Sequence, residues 1–103
     1  MAELSEHKLK LSDEVWEETR VRAVLEEKPA YEICAHVLTH YIELEEKPPI
    51  QLTSAPTKGS LHSVYLDKFT WAELIRCRVS EKRPISAILE QQLRAYLAMD
   101  FMS

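Results

Sequence analysis

The 103-residue chain has one glycine and two cysteines, and it lacks any long apolar run. A single glycine excludes the glycine-rich loop that cradles phosphate in nucleotide-binding proteins. Cys34 and Cys77 lack the paired spacing of a disulfide framework or a zinc site, so we interpret both as small buried hydrophobic residues. No stretch of about 18 apolar residues could form a membrane helix, and the charged start differs from a signal peptide. We therefore expect a cytoplasmic protein with no membrane partner and no cofactor, and the absence of a Ser/His/Asp or Cys/His arrangement argues against an enzyme.

The chain does contain an internal repeat without a gap. Residues 7–44 align with residues 62–99 at a constant offset of 55, and ten of the 38 positions are identical. A unit of about forty residues is too short to bury much apolar surface alone, so we expect one domain over 1–103 in which both copies share a core. The intervening residues 45–61 hold three of the five prolines and the only glycine, a composition typical of a linker. The identical pairs are His7/His62, Leu11/Leu66, Trp16/Trp71, Glu18/Glu73, Val24/Val79, Glu26/Glu81, Pro29/Pro84, Ile33/Ile88, Leu38/Leu93 and Tyr41/Tyr96.

Each copy predicts a short strand followed by two helices. Polar and apolar residues alternate over 8–11 and 63–66, as in a strand with one buried face. Ser12 and Asp67 can each cap the helix that follows. The first helices are expected over 13–26 and 69–80, and the second, after breaks at Pro29 and Pro84, over 30–44 and 85–99.

Helical spacing predicts which side chains face the core. Trp16 and Trp71 are interpreted as core residues, and His7 and His62 as residues at its border. The other inward candidates are Val15, Thr19, Ala23 and Val24 in the first helix, Ile33, Cys34, Val37, Leu38, Tyr41 and Leu44 in the second, and Ile88, Leu89, Gln92, Leu93, Tyr96 and Leu97 in the fourth.

Charge is divided unevenly between the halves. Residues 1–47 hold 6 Lys+Arg and 12 Asp+Glu, a net of −6, whereas residues 48–103 hold 7 and 5, a net of +2. The copies therefore differ more in charge than in apolar pattern, as expected if packing constrains both halves while their surfaces serve different purposes.

The two predicted strands have only each other as partners. An antiparallel ribbon would place Leu9, Leu11, Val64 and Leu66 on the helices and leave its other face in solvent. The fold class is then mainly α with a two-stranded antiparallel ribbon. The order of strand, Ser/Asp cap, helix, break and helix ending in Leu-x-x-Tyr-[Ile/Leu] resembles the ribbon-helix-helix DNA-binding proteins of the Arc/MetJ/CopG type, most clearly over 83–97. Family members are usually dimers, so this chain looks like a fused pseudo-dimer with two β-α-α repeats.

The resemblance implies a function in DNA binding. In that family the ribbon enters the major groove of double-stranded DNA and its outward side chains read base edges. The corresponding residues here are Lys8, Lys10, Ser63 and Tyr65. Because the strands differ, the resemblance implies a small transcriptional regulator that recognises an imperfectly palindromic site, and self-association on DNA stays open.

The same family holds the DNA backbone at the start of the second helix, where free amides and the helix dipole favour phosphate. This chain has proline where a Ser/Thr cap is common, so one amide donor and one hydroxyl are missing from each site. Basic residues nearby could supply charge instead. The implied phosphate-binding residues are Lys28, Ala30 and Tyr31 in the first copy and Lys82, Arg83, Ile85 and Ser86 in the second.

Three alternatives remain open. Lys8 and Lys10 could simply keep an exposed strand soluble. The protein could be an antitoxin with a small basic partner. It could also be a protein–protein adaptor without DNA binding, and carboxylates around the ribbon or a covered ribbon would indicate this function.

His36 and His40, with Glu32 one turn earlier, share a helix face that could hold a metal. We interpret it as a solvated or packed face and predict no metal site.

Overall fold

A computed structural model of the chain describes residues 3–99, and within them it contains four α-helices and one two-stranded antiparallel sheet. This confirms the mainly helical class with one antiparallel strand pair. No helix in the described part is long and apolar enough to cross a membrane. The elements are β1 (Leu4–Leu11), α1 (Asp13–Glu26), α2 (Ala30–Glu43), β2 (Ser60–Asp67), α3 (Lys68–Glu81) and α4 (Ile85–Ala98).

The helices begin where the capping residues predict. The Ser12 hydroxyl accepts a hydrogen bond from the Val15 amide at 3.3 Å, and the Asp67 carboxylate accepts one from Thr70 at 2.7 Å. Each cap satisfies one of the amides that a helix start leaves without an intrahelical partner.

The turn after each first helix uses a left-handed residue. Glu27 follows α1 at φ 55° and Lys82 follows α3 at φ 56°, so equivalent residues of the two copies reverse the chain in the same way. Glycine is the usual residue at this position because a Cβ is disfavoured there. Pro29 and Pro84 then precede α2 and α4 in extended conformation.

Both strands are twice as long as predicted, with eight residues each. Lys8 lies opposite Ser63, and Glu6 lies opposite Tyr65. The alternate positions Leu9, Leu11, Val64 and Leu66 are buried against the helices, as predicted. The sheet thus has one core face and one outer face.

Four of the ten identical pairs form reciprocal contacts between the copies. His7 stacks on Trp71 at a centroid distance of 3.7 Å, and His62 stacks on Trp16 at 3.9 Å. In the same way, the hydroxyl of Tyr41 donates to Glu81, and that of Tyr96 donates to Glu26. In each of these pairs, both members make the same contact with the other copy, as residues do across a two-fold interface.

Several burial predictions are wrong in detail. Trp16 and Trp71 are half-buried at the core margin, because their indoles cover the histidines of the other copy. Val24 is 77% exposed, since the buried stripe of α1 runs through Val15, Thr19 and Ala23. In α4 the fully packed glutamine is Gln91 and not Gln92.

The chain between α2 and β2 is held on α4 by polar side chains. The Gln91 amide oxygen accepts from the backbone amides of Gln51 (2.9 Å) and Leu52 (3.2 Å), and its nitrogen donates to the Pro49 carbonyl at 2.9 Å. Arg83 donates to the Leu52 carbonyl at 2.9 Å. This segment is therefore a packed part of the fold, although 44–59 contains no helix or strand.

Gly59 brings this segment onto the end of β1. A Cβ built on Gly59 would lie 2.0 Å from the Leu11 carbonyl oxygen, far inside van der Waals contact. Only glycine allows the two backbones to approach so closely. β2 begins at the next residue, so the predicted linker 45–61 loses its last two residues to the strand.

Candidate nucleic-acid interface

The outer face of the sheet carries all four predicted base-reading residues. Lys8 and Tyr65 are exposed, whereas Lys10 and Ser63 are partly covered by their neighbours. Strand alternation places eight side chains on this face: Leu4, Glu6, Lys8, Lys10, Leu61, Ser63, Tyr65 and Asp67.

The face is electrically balanced. Two lysines are matched by Glu6 and Asp67, of which Glu6 accepts a hydrogen bond from the Ser63 hydroxyl. The Thr70 amide, which donates to Asp67, holds the pKa of that carboxyl below its ordinary value, so the carboxylate is charged at neutral pH. The Lys10 ammonium group donates to the Thr57 carbonyl at 3.3 Å. The sheet therefore presents polar groups of both signs.

Three residues of the outer face were not predicted from the sequence, because the strands are longer than predicted. Glu6 belongs to the same alternation as Lys8, one step earlier. Leu4 and Leu61 are 65% and 62% exposed, so the face also has an apolar component. Extending the period-two pattern by four residues before Lys8 and by two before Ser63 would have found all three.

The starts of α2 and α4 lie beside the two edges of the sheet. The Lys10 amide of β1 donates to the Ser86 hydroxyl of α4 at 2.9 Å. On β2, the Tyr65 ring meets the Tyr31 ring of α2 edge to face, with centroids 5.4 Å apart. Each strand thus contacts the second helix of the other copy.

Neither helix start has a side-chain cap in the described part of the chain. The amides of the first turn, at Ala30 and Tyr31 in α2 and at Ile85 and Ser86 in α4, have no intrahelical acceptor by the geometry of a helix. Together with the helix dipole, these groups can bind an anion. The structure therefore brings the predicted amide donors of both copies to the flanks of the outer face.

The position of Arg83 contradicts the prediction that this residue contacts a DNA phosphate. Its side chain is inaccessible to solvent, because it lies in a buried network with Glu81 (2.7 Å), Gln91 (2.6 Å) and the Tyr41 hydroxyl (3.1 Å). An arginine whose donors are used inside the protein cannot reach a DNA backbone. The signal that could have identified its role is its place beside the identical Glu26/Glu81 pair.

The other predicted phosphate-binding cations lie nearer the surface. The equivalent of Arg83 in the first copy is Lys28, which is partly exposed and pairs with Glu26 at 3.2 Å. Lys82 is exposed at the left-handed turn between α3 and α4. These two side chains remain accessible to an anion, in contrast to Arg83.

Burial raises the pKa of the Tyr41 hydroxyl to about 12, and the adjacent Glu81 carboxylate adds to the effect. Tyr41 is therefore protonated at neutral pH and can donate to Glu81. The network around Arg83 joins α2, α3, α4 and the segment at Leu52.

His36 and His40 lie on the exposed side of α2, with ring centroids 6.3 Å apart. Among residues 3–99, no three His, Cys, Asp or Glu side chains come together in a way that could hold a metal ion. Cys34 is fully buried and Cys77 half-buried, and both thiols are free. Burial raises the pKa of the Cys34 thiol to about 12, which makes it unreactive.

Comparison with known protein families, with curated proteins and with solved structures finds no match to this chain.

Proposed function

We propose that the protein binds double-stranded DNA as a single-chain ribbon-helix-helix pseudo-dimer, with the outer face of the sheet in the major groove. The observation that carries the proposal is the exposed antiparallel strand pair flanked on both edges by uncapped helix starts. A two-stranded ribbon fits the major groove, and helix starts on either side can meet the phosphates that border it. This arrangement suits a small transcriptional regulator.

The side chains of the outer face have different roles in this proposal. Lys8 and Lys10 donate to the O6 and N7 acceptors of guanine, while Ser63 and Tyr65 provide shorter and more adaptable contacts. Glu6 can accept from the amino group of cytosine. Because no residue of one strand is matched by the same residue opposite, the preferred site is an imperfect palindrome.

The phosphate contacts in this proposal come mainly from backbone amides. The first turns of α2 and α4 contact β2 and β1, where their free N–H groups would meet phosphate, and Lys82 adds a charge before α4. The acidic residues of the first copy oppose DNA near α2, so the contact at α4 is the stronger one. We expect modest affinity, since the surface has few cations for phosphate neutralisation.

The test is a fluorescence-anisotropy titration of genomic DNA fragments at two salt concentrations. A selected fragment should bind more weakly as salt rises, because bound phosphates release counterions. Lys8→Ala and Lys10→Ala should lower the affinity for the selected fragment by about ten-fold or more, the effect of losing a base contact of about 1–3 kcal/mol. Arg20→Ala is the control, because it removes one exposed charge from α1 and leaves the sheet intact. Absent binding, or binding that none of the sheet variants changes, would refute the proposal.

A second candidate is a protein–protein adaptor that does not bind DNA. It is favoured by the charge balance of the outer face and by the exposed side chains of Leu4 and Leu61, since DNA-binding surfaces are strongly positive. If the adaptor function is correct, the DNA titration stays flat at both salt concentrations. A small basic protein then co-purifies with the chain and is lost in a Leu4→Ser/Leu61→Ser variant.

A further inference from the structure

A cavity of about 360 Å³ opens between α2 and α4, away from the sheet. His36 and His40 of α2 form one wall, and Tyr96 and Met99 at the end of α4 form the other. Arg22 holds this end of α4 in place, since its guanidinium donates to the Met99 carbonyl at 2.5 Å and lies 5.3 Å above the Tyr96 ring. The cavity is therefore supported by the folded chain.

The internal repeat relates this cavity to a second groove, which adjoins it and shares Gln92 and Ala95 with it. At the offset of 55, three of the four residues that correspond to its walls, Leu44, Gln91 and Ala95, line the groove in which the chain's own segment runs. That segment, Pro49 to Leu52, is bound there through its backbone. The corresponding pairs are His36/Gln91, His40/Ala95, Tyr96/Tyr41 and Met99/Leu44.

The occupied groove shows how an extended segment is recognised. Gln91 accepts from two successive backbone amides and donates to the Pro49 carbonyl, while Arg83 donates to the Leu52 carbonyl. Because these bonds go to backbone atoms, they select an extended conformation more than a particular side chain. The paired prolines at 48 and 49 favour that conformation in advance, which lowers the entropic cost of docking.

The open groove has groups of a similar kind at the equivalent sequence positions. A neutral imidazole has one N–H donor and one nitrogen acceptor, so His36 can replace the donor and acceptor of Gln91. Lys28 replaces Arg83 and pairs with Glu26, as Arg83 pairs with Glu81. Tyr96 donates to Glu26, as Tyr41 donates to Glu81. Among the described residues, no segment of the chain makes the corresponding backbone bonds in this groove.

We propose that the groove between His36, His40, Tyr96 and Met99 binds an extended, proline-containing segment of a partner protein, in the manner in which the equivalent groove binds the chain's own Pro49–Leu52. The site lies between α2 and α4 and leaves the outer face of the sheet free. A partner could therefore bind at the same time as DNA. The side chain of His40, where the occupied groove has Ala95, is an additional contact for the incoming segment.

The probe is a blocked synthetic peptide with the sequence of residues 47–53, which carries the segment that the occupied groove binds. It is titrated into the full-length, ¹⁵N-labelled protein, and amide shifts are followed by NMR at neutral pH. We expect saturable shifts at His36, His40 and Tyr96. A peptide with Ala in place of both prolines should bind several-fold more weakly, because it must be ordered on binding.

Two variants of one residue separate recognition from folding. His36→Leu removes both polar groups and should weaken peptide binding about ten-fold, the equivalent of one to two backbone hydrogen bonds. His36→Gln restores the donor and acceptor of the occupied groove, so it should bind at least as well as the native protein. Arg20→Ala serves as a surface control with no expected change. Loss of binding in both His36 variants, with native thermal unfolding in each, would contradict the proposed recognition.

Other occupants give different results, each of which would overturn the proposal. If the peptide shifts only residues around Gln91, it displaces the chain's own segment and the open groove is not a site. If binding appears only in a variant that ends at Met99, residues 100–103 compete for the groove. If the native protein forms dimers that His36→Leu abolishes, as measured by sedimentation, a second copy is the occupant.

Discussion

The hydroxyl groups of Tyr41 and Tyr96 provide a matched pair of perturbations within one chain. Both donate to the equivalent glutamate of the other copy at 2.7–2.8 Å. They differ in their surroundings, because Tyr41 is fully buried whereas Tyr96 is half-buried. The Tyr41 hydroxyl also accepts from Arg83 at 3.1 Å. Tyr41→Phe and Tyr96→Phe therefore remove the same atom from two environments.

We expect Tyr41→Phe to lower the free energy of unfolding by about 2 kcal/mol, because a hydrogen bond to a charged group contributes about 1.5–3 kcal/mol and no water can replace it here. In a domain of this size that is a decrease in Tm of roughly 8–15 °C. Tyr96→Phe should cost only about 0.5–1 kcal/mol, since water can reach the half-buried Tyr96 position and the cations of Arg22 and Lys28 still stabilise Glu26.

The assay is urea unfolding followed by circular dichroism, with the slope m compared among variants. If m is unchanged, a shift in the urea midpoint reports a change in the free energy of unfolding. Combining Tyr41→Phe with Glu81→Gln tests the pair directly, and we expect a coupling of about 1 kcal/mol or more. Equal losses for the two tyrosine variants, within about 0.5 kcal/mol, would refute the argument that burial sets the strength of these bonds.

Three further predictions concern stability. Gly59→Ala should destabilise the protein by about 2–4 kcal/mol, as measured by urea unfolding, because its Cβ has no space beside β1. Glu27→Gly and Lys82→Gly should each raise the unfolding free energy by about 0.5–1 kcal/mol, since both residues hold a left-handed φ, and a loss would contradict this. Burial lowers the pKa of His7 and of His62, and the charge of Asp13 opposes this effect at His62. The unfolded chain therefore binds more protons than the folded chain near pH 6. Stability should be full above about pH 6.5 and decrease as the pH falls to 5.5, and a His7→Phe/His62→Phe variant should lose this dependence.

The secondary structure was predictable because its signals are local. The caps Ser12 and Asp67, together with the prolines at 29 and 84 and the helical spacing, predicted all four helices to within one residue at every end. The strands were less well predicted, since their first residues alternate weakly and include the exposed leucines Leu4 and Leu61. Leu4 and Leu61 look like core residues by type, and only strand pairing shows that they face outward.

The sequence predicted which residues share the outer face of the sheet, but it did not predict the charge of the surface around them. Period-two alternation sets which strand residues share a side, so Lys8, Lys10, Ser63 and Tyr65 were correctly placed together. Which cations are available on that side depends on folding. Arg83 has the same local signal as Lys28, yet the structure uses it to bind Tyr41, Glu81 and a backbone carbonyl.

The sequence by itself determined that the chain consists of two equivalent β-α-α units, because the offset-55 repeat is visible in the order of residues and the capping signals depend only on neighbouring residues. Only the tertiary structure decided what the identical residues do. His7 and Tyr41 each contact the other copy, at Trp71 and Glu81, and contacts across such distances along the chain are set by how the helices pack. Packing also made the copies unequal, since the segment from Pro49 to Leu52 fills one groove between α2 and α4 and the equivalent groove beside His36 holds no described segment.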